Sequence, residues 1–387
     1  MKIVLAIIFL LTWLLIGMAV AITAKSKAAK PPAPEVVEAI PTTAVTSEPL
    51  MTDEPLITDE PPITEAVAYV SKEPIVDTDK ALYTYEEMQD DLTQFAERYA
   101  EQIVVNTLSK TVDDRRLLEV IVGNASAPKK IVIQASIHGR EYINTLLVMR
   151  QIEELLMNYD TGSYNGIQYS TLLDNVAFHI IPMANPDGVT ISQMGVDGII
   201  SESLRRSLAE CYEHDTAGGA NDDGRYWEKW KANARGVDLN RNFDAGWQEF
   251  VGSSSPSSEK YKGVEPASEI ETQAILALVR KTAAVSVISY HSAGNLIYWD
   301  YGSTGEIYEA DRQLAQMVSA VTGYGPQSSI QSATDAAGCS DYYVLKEGIP
   351  AITIENGGGQ CPLSINEFES IWNSNKELLP ALAAFYQ

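Results

Sequence analysis

Four short apolar runs, alternating with helical stretches, constrain the fold of this chain more than any other feature. The runs are rich in β-branched residues and are bounded by Gly, Pro or polar clusters, which is typical of buried strands. They cover Ile131–Ile137, Val176–Met183, Ala284–Tyr290 and Pro350–Glu355. Strands that alternate with helices predict an α/β fold with a mixed, largely parallel central sheet sandwiched by helices.

The segments around these strands have the spacing of amphipathic helices, and two of them have a capping-box sequence at their start. The predicted helices are 86–104, Asn144–Met157, Glu269–Lys281 and Glu306–Val321. The predicted capping boxes pair Ser268 with Glu271 and Ser364 with Glu367. We expect one catalytic domain over residues 81–387 and no second folded domain.

The first thirty residues are expected to be a signal anchor or a signal peptide. Residues 3–24 carry no charged side chain and would span about 33 Å as a helix, enough for a hydrocarbon core of about 30 Å. The run is longer than a usual signal peptide core, which favours an uncleaved anchor, while Ala19 and Ala21 leave a cleaved signal peptide as the alternative. Both interpretations predict an extracytoplasmic protein, either membrane-anchored or secreted.

Residues 31–80 are predicted to be a disordered linker. Half of the 18 prolines of the chain lie in this segment, and the six-residue unit Glu48–Asp53 recurs as Glu54–Asp59. The repeat is too short for a solenoid, and proline prevents helix and central strand. Proline and excess acidic residues predict an extended, solvated spacer.

Charge and cysteine content exclude several classes of function. The net charge of −24 gives the chain no general electrostatic reason to bind nucleic acid. Three cysteines exclude a dense disulfide framework. Cys339 is interpreted as a buried thiol or as half of one bridge, with Cys361 as the nearest partner in sequence. We expect the catalytic domain to be monomeric.

Two of the four histidines stand just past predicted strands, and one of them is followed by an acid. His138 opens the sequence His-Gly-Arg-Glu, which ends at Glu141, and His291 follows the third apolar run. Ligands of parallel α/β sheets collect at the carboxyl ends of the strands. Two imidazoles and a carboxylate that meet there form a His₂Glu set with one position left for water, as a catalytic zinc site requires.

Other polar residues could also take part in catalysis or in substrate binding. Glu355 closes the last apolar run, where an idle carboxylate would be costly, and next to a metal it could act as general base. Asn240 and Arg241 add an amide and a guanidinium, whose planar fork matches a carboxylate with two parallel hydrogen bonds. His179, inside an apolar strand, is interpreted as a core histidine, and His214 as part of an exposed loop.

Seven ordered motifs together resemble the zinc metallocarboxypeptidases of the funnelin type, relatives of pancreatic carboxypeptidase A. The resemblance covers about residues 82–386. The motifs are Tyr83–Met88, His138–Glu141, Pro182–Gly188, Gly236–Phe243, Tyr261–Gly263 with Ser268–Thr272, Tyr290–Ser292 and Thr353–Glu355.

The resemblance implies a role for individual residues and one Zn²⁺ per chain. It implies that three residues bind the metal, that Glu355 activates water, and that Asn240 and Arg241 hold the substrate's terminal carboxylate. The implied metal ligands are His138, Glu141 and His291. Arg140, between the first two ligands, would line the subsite that leads in.

Two positions depart from the family pattern. The family places an Arg that polarises the scissile carbonyl where this chain has Lys231, and Arg235 is a second candidate for that role. The family's mobile Tyr has no counterpart in register within Gln331–Gly338, so Tyr342 or Tyr324 would have to replace it in space. A Lys is a point charge, so carbonyl polarisation could persist with looser geometry.

The sequence therefore predicts an exported zinc metallopeptidase, most simply a metallocarboxypeptidase that releases C-terminal residues from peptides. The first alternative is a cell-wall peptidase acting on the γ-D-glutamyl–diamino acid bond of muropeptides, as some bacterial relatives of the family do. An alternative of another class is a catalytically silent module that binds zinc or peptide.

Overall fold

A mixed eight-stranded sheet organises the part of the chain that the structure describes. The computed structural model describes residues 73–219, 223–329 and 335–387. Its strands are β1 (Ile103–Lys110), β2 (Arg116–Val122), β3 (Lys129–Ala135), β4 (Ser163–Tyr164), β5 (Ile167–Gln168), β6 (Val176–Ile181), β7 (Ser286–His291), β8 (Leu296–Trp299), β9 (Gly325–Ser328) and β10 (Ala351–Glu355). The large sheet has the order β1-β2-β6-β3-β7-β10-β8-β9, and β4 pairs with β5 in a separate hairpin.

Helices and short helical turns connect these strands. The α-helices are α1 (Tyr85–Arg98), α2 (Ile143–Met157), α3 (Tyr169–Asn175), α4 (Pro186–Met194), α5 (Glu202–Ala217), α6 (Ile270–Thr282), α7 (Gly305–Thr322), α8 (Cys339–Tyr342), α9 (Phe368–Asn375) and α10 (Leu378–Phe385). Two short 3₁₀ turns, Gly139–Glu141 and Leu239–Arg241, carry residues of the predicted site.

The four strands predicted from the apolar runs form the parallel centre of the sheet. β3 pairs in parallel with β6 on one side and with β7 on the other, and β7 pairs in parallel with β10. The remaining strands lie at the two edges, where β1, β2 and β8 pair antiparallel with a neighbour. The predicted α/β class with a mixed, largely parallel sheet is therefore confirmed.

Alternate residues of the central strands enter two different hydrophobic layers. Ile131 and Ile133 of β3 pack with α1, α2, α3, α7, α9 and α10, whereas Val132 packs with α6 on the opposite side. This alternation follows from the two-residue period of a strand. On β7, Val287 belongs to the α6 side, so Ser289 and His291, which follow it at intervals of two, point to the same side.

The structure corrects the prediction for residues 86–104. The helix ends at Arg98, and residues 103 and 104 already belong to β1. Val104 is exposed on this edge strand, which a helical reading of the apolar pattern did not anticipate. The start of this helix carries a true capping box, in which the side chains of Thr84 and Glu87 reciprocally bind backbone N–H groups.

Neither of the two predicted capping boxes forms. α6 begins at Ile270 after Glu269, with no side-chain cap, because the Ser268 hydroxyl donates to the Glu269 carboxylate instead. Ser364 does cap, by accepting from the backbone N–H of Asn366. Its expected partner, Glu367, accepts from the backbone N–H groups of Gly358 and Gly359 rather than closing the box.

The three cysteines are all free thiols, so the alternative of a bridge between Cys339 and Cys361 is wrong. No helix within the described residues has the length and apolarity to cross a membrane. The predicted anchor at 1–30 and most of the predicted linker at 31–80 lie outside the described residues. The expectation of one catalytic domain over residues 81–387 stays a prediction.

Candidate active site

Three buried side chains from two strand ends and one turn meet at the carboxyl end of the central strands. His138 follows β3 and precedes the 3₁₀ turn that carries Glu141, while His291 is the last residue of β7. Because β3 and β7 are parallel neighbours, their carboxyl ends lie at the same edge of the sheet. The predicted metal ligands are therefore brought together as the sequence analysis expected.

The geometry of this triad fits a divalent metal ion. Nδ1 of His138 lies 2.8 Å from one carboxylate oxygen of Glu141, and Nδ1 of His291 lies 3.0 Å from the other. One ligand atom from each residue falls within 4.8 Å of those of the other two, and all three residues are buried. Two imidazole nitrogens and one carboxylate are the ligand set of catalytic zinc.

The carboxylate of Asp238 contacts the ring nitrogen of His138 that does not face Glu141. Oδ1 of Asp238 lies 3.3 Å from Nε2 of His138, on the side of the ring away from Glu141. Burial opposes ionisation of Asp238, but His138 and the nearby Arg241 outweigh it and hold the pKa of Asp238 well below its usual value. Carboxylates in this position fix the orientation of a metal-binding imidazole. The sequence analysis quoted the motif containing Asp238 but did not assign this role.

The pKa values of the triad reflect mutual attraction. Burial lowers the pKa of His138, yet the carboxylates of Glu141 and Asp238 outweigh that effect and raise it overall. Burial would raise the pKa of Glu141, but His138 and His291 together hold it well below the usual value. Glu141 is therefore an anionic ligand at neutral pH.

Glu355 is the register partner of His291 on the adjacent parallel strand. Burial raises the pKa of Glu355 to about 7, and the neighbouring Glu141 acts in the same direction, whereas His291, Lys231 and Arg140 act to lower it. A carboxylate with such a pKa is suited to accept and release a proton near neutral pH. Its position next to the triad agrees with the predicted role of general base.

A chain of three buried amides ties the ligand-bearing segments together. Asn375 of α9 donates to Oδ1 of Asn356, which donates to Oδ1 of Asn144, and each distance is 2.9 Å. Asn144 in turn donates to the backbone oxygen of Glu141 and to the hydroxyl of Ser292. The chain thus joins the residues that follow Glu355 and His291 to the turn that carries Glu141.

A fourth asparagine fastens the loop that carries Lys231. Nδ2 of Asn185 donates to the backbone oxygens of Ile137, Lys231 and Ala232, and its Oδ1 accepts from Gly188. The backbone N–H of Gly139 also donates to the oxygen of Lys231, at 3.0 Å. A Cβ on Gly139 would lie 2.2 Å from the backbone oxygen of Gly188, so only glycine fits this approach.

The predicted carboxylate-binding pair lies on the 3₁₀ turn Leu239–Arg241, directly after Asp238. Oδ1 of Asn240 accepts from the backbone N–H of Cys339 at 2.9 Å. Nη1 of Arg241 donates to the backbone oxygen of Asn240. Nε of Arg241 is buried without a hydrogen-bond partner. The guanidinium carbon stands 5.4 Å from the ring centre of Phe250. Arg241 therefore keeps donor capacity for a ligand.

The pocket wall beside this pair is polar. The hydroxyl of Ser340 lies 2.9 Å from that of Thr353 and donates to Ser289. Tyr298 pairs with Thr353 across β8 and β10, which puts both on the α6 side of the sheet. Burial raises the pKa of Tyr298, and the charge of Glu355 adds to the effect. Tyr298 is a site-facing residue that the sequence analysis missed, because its partner lies on another strand.

The structure distinguishes the two candidates for carbonyl polarisation. The charge of Lys231 acts on His138, Asp238 and Glu355. Arg235 is exposed and its nearest acid is Glu269 at 3.8 Å, in a separate surface cavity of about 640 Å³. Lys231 is therefore the residue placed for a role at the triad.

Neither tyrosine considered as a replacement for the mobile Tyr is available in this structure. The hydroxyl of Tyr342 donates to Glu347, and that of Tyr324 accepts from Asn375. Half of the segment Gln331–Gly338 in which the family's Tyr was sought, residues 331–334, lies outside the described residues.

The other two histidines have structural environments. His179 is buried and lies 2.6 Å from Glu119, as expected for a core histidine. His214 lies in the last turn of α5, not in a loop, and its Nε2 is 2.9 Å from the hydroxyl of Ser255. Both stand outside the triad.

A buried His₂Glu set, a carboxyl group of raised pKa on the next strand and an unpaired guanidinium define a zinc metallopeptidase. The family described as zinc carboxypeptidase, Peptidase_M14, matches residues 88–377, and the chain belongs to this family. Its cofactor is zinc. The alternative of a catalytically silent binding module is thereby set aside.

Individual relatives differ in the reactions that their names describe. The chain is 28% identical over 293 residues to gamma-D-glutamyl-L-diamino acid endopeptidase 1 of Lysinibacillus sphaericus, covering 75% of this chain and 69% of that protein. It is 27% identical over 284 residues to carboxypeptidase B of Astacus astacus, covering 69% and 82%. The crystal structure of thrombin activatable fibrinolysis inhibitor shares the fold, with a TM-score of 0.62, 19% identity and coverage of 81% and 80%.

Proposed function

We propose that this protein is a zinc-dependent carboxypeptidase that hydrolyses the amide bond next to a free carboxylate. The observation that carries the proposal is the placement of Glu355 beside His291, with the turn of Asn240 and Arg241 packed through Leu239 into the layer on the α6 side of the sheet. In this proposal His138, Glu141 and His291 hold the metal. Asn240 and Arg241 bind the terminal carboxylate of the substrate and so select the last amide bond of a chain.

The metal site and the protein side chains divide the chemistry between them. Zinc in a His₂Glu site supplies Lewis acidity toward water and toward a carbonyl oxygen. Glu355 accepts the proton of the attacking water as the new C–O bond forms. It then delivers that proton to the departing nitrogen as the C–N bond breaks, so the products are a carboxylate and an amine.

Lys231 contributes a positive charge where the carbonyl oxygen becomes negative. Its side chain is 18% exposed and stands 3.6 Å from Glu259, a loose contact that leaves the ammonium available. A preorganised cation near a developing oxyanion lowers the barrier of acyl transfer. Its backbone oxygen, held by Gly139 and Asn185, keeps the residue next to the turn of the metal ligands.

The γ-D-glutamyl–diamino acid bond of cell-wall peptides is a second candidate substrate. The relative from Lysinibacillus sphaericus carries this activity in its name and aligns with 75% of this chain at 28% identity. The two candidates are compatible, because removal of a terminal diamino acid from a γ-D-glutamyl residue is also a carboxypeptidase reaction. The predicted extracytoplasmic location and membrane attachment through residues 1–30 would place the enzyme near such substrates.

The proposal is tested with a mixed library of ordinary peptides and muropeptides, analysed by mass spectrometry. We expect release of single C-terminal residues that stops when a chelator removes zinc and resumes when zinc is restored. C-terminal amidation of a cleaved substrate should suppress its hydrolysis. Cleavage confined to internal bonds, or an activity indifferent to chelator, would contradict the proposal.

A further inference from the structure

Basic side chains lie at two positions around the triad, although the whole chain carries a net charge of −24. At one place, Arg241 acts electrostatically on Asp341 and Tyr301, beside the predicted carboxylate-binding pair. At the other, Arg140 and Lys231 both act on Glu355 and Cys361. Only the first place is needed to recognise a terminal carboxylate.

Arg140 is an arginine without an acidic partner. It is partly buried on the turn between His138 and Glu141, and within the described ranges it forms no ion pair. Its Nε is buried without a hydrogen-bond partner, and Nη1 reaches the backbone oxygen of Lys229 only at 3.5 Å. A guanidinium with unused donors is costly to bury unless a ligand satisfies it.

Another arginine of this chain shows the contrast. Arg115 is buried, and its Nη1 lies 2.6 Å from a carboxylate oxygen of Asp113 and 2.9 Å from one of Asp187. Its charge is therefore neutralised within the protein. Arg140 has no such ion pair within the described ranges and lies close enough to Glu355 to lower its pKa, so a substrate bound there can supply the missing carboxylate.

We propose that Arg140 binds a carboxylate on the acyl side of the scissile bond, so that the preferred substrate carries one carboxylate on each side. This inference rests on the proposed function, which assigns the leaving-side carboxylate to Asn240 and Arg241. The planar fork of an arginine binds a carboxylate with two parallel hydrogen bonds, which a lysine cannot reproduce. Lys231 adds positive charge at the same end of the cleft and keeps its role at the carbonyl.

The chemistry of the substrate class follows from this arrangement. In an ordinary α-linked peptide, the acyl residue offers a neutral backbone amide near the scissile bond. In a γ-linked glutamyl residue, the amide is formed by the side-chain carboxyl group, and the α-carboxylate remains free close to the scissile bond. A γ-glutamyl residue followed by a terminal amino acid therefore presents both carboxylates that the two cationic places can bind.

The test uses two synthetic tripeptides that differ in one group. Both have the form L-Ala–γ-D-Glu–diamino acid with a free terminal carboxylate, but in one the α-carboxylate of the glutamyl residue is converted to a primary amide. We expect the zinc-loaded wild-type protein to cleave the carboxylate form with a kcat/KM about 10- to 100-fold higher, the range expected for a hydrogen bond to a charged group.

Three variants assign this preference to a residue. Arg140→Gln should reduce the preference to about twofold or less, mainly by raising KM for the carboxylate form. Arg140→Lys should keep an intermediate preference, because charge remains and the fork is lost. Arg225→Gln is the matched control, since Arg225 is half-exposed, is paired with Glu228 at 2.6 Å, and should leave the preference unchanged.

A binding measurement separates recognition from turnover. In the Glu355→Gln background, titration calorimetry should show that the carboxylate tripeptide binds more tightly than the amide form, and that Arg140→Gln removes the difference. Equal cleavage of both tripeptides by the wild type would overturn the inference, as would a preference that survives Arg140→Gln. Cleavage of α-linked peptides alone would overturn it and leave the proposed function standing, whereas no chelator-sensitive cleavage of any substrate would remove both.

Discussion

Glu355 and His291 are register partners at the ends of two adjacent parallel strands. Neighbouring strands lie about 4.8 Å apart, so the backbone itself sets the spacing between the candidate general base and a metal ligand. Neither side chain depends on a loop for its position. The candidate general base and one candidate metal ligand are therefore held by the same hydrogen-bonded ladder.

The first prediction concerns the role of Glu355. Glu355→Gln keeps the shape and removes the proton acceptor, so kcat should fall by about 10²- to 10⁴-fold while KM changes little. Zinc content, measured by atomic emission, should remain near one per chain. Loss of zinc from this variant would show that Glu355 is a ligand and not the base.

The second prediction concerns metal binding. His291→Ala removes one ligand from the triad, so the purified protein should contain far less than one zinc per chain and should lack activity. His214→Ala is the matched control, because His214 is half-exposed on α5 and lies outside the triad. Equal zinc content in the two variants would place the metal elsewhere.

The third prediction concerns recognition of the terminal carboxylate. Arg241→Gln should lower kcat/KM for substrates with a free C-terminus by about 10- to 100-fold, the range expected for a hydrogen bond to a charged group. The same variant should cleave C-terminally amidated substrates as slowly as the wild type does. A parallel loss on both kinds of substrate would instead indicate a general structural role for Arg241.

The fourth prediction concerns the stability of the fold as a function of pH. Glu271 is fully buried on α6, and burial raises its pKa to about 8 from an ordinary 4.5. The unfolded chain ionises this group above about pH 4.5 while the folded chain does not, so stability falls as the pH rises from there to about 8. The slope from one such group is at most about 1.4 kcal/mol per pH unit.

Glu271→Gln removes this contribution, so urea unfolding should give a variant similar to wild type at pH 5 and more stable at pH 8. Glu86→Gln, an exposed change on α1, serves as the control and should leave the pH profile unaltered. A variant that loses stability equally at both pH values would show that the carboxyl group is hydrogen-bonded and not merely buried.

The fifth prediction concerns Asn185. Asn185→Ala removes one hydrogen-bond partner from each of three backbone oxygens and one backbone N–H, and only the oxygen of Lys231 keeps a second partner, the N–H of Gly139, among the bonds described above. The free energy of unfolding should therefore decrease by about 2–4 kcal/mol. Because one of these oxygens belongs to Lys231, kcat should also fall. The exposed Asn124→Ala should change thermal stability by less than about 0.5 kcal/mol. An unchanged kcat would show that Lys231 does not need this anchor.

The sequence was sufficient for the features that depend on local pattern. The central strands are continuous apolar runs, and His138, Glu141, His291 and Glu355 stand at their ends, so the site could be placed before its coordinates were known. The outermost strands β1 and β9 could not, because most of their residues are at least partly exposed and give no continuous apolar signal. Ser268 also misled, since its hydroxyl had a competing acceptor in Glu269.

Hydrogen bonds between residues far apart in sequence could not be predicted either. Nothing near Asn144 in sequence indicates that its amide meets Asn356, 212 residues away. Tyr298 likewise gains its place beside the site only through pairing with Thr353. Such relationships arise from the topology of the sheet, which sequence patterns constrain without specifying the individual contacts.

The chain of amides from Asn375 through Asn356 to Asn144 runs in one direction, each donating to the next. Deamidation of Asn356 during prolonged storage or heating would replace its donor Nδ2 with an acceptor oxygen. A negative charge would then face Oδ1 of Asn144. The damage would then reach the turn of Glu141 although no residue of that turn had changed. Slow deamidation of a residue next to Glu355 that takes no part in the proposed reaction would therefore limit how long the enzyme stays active.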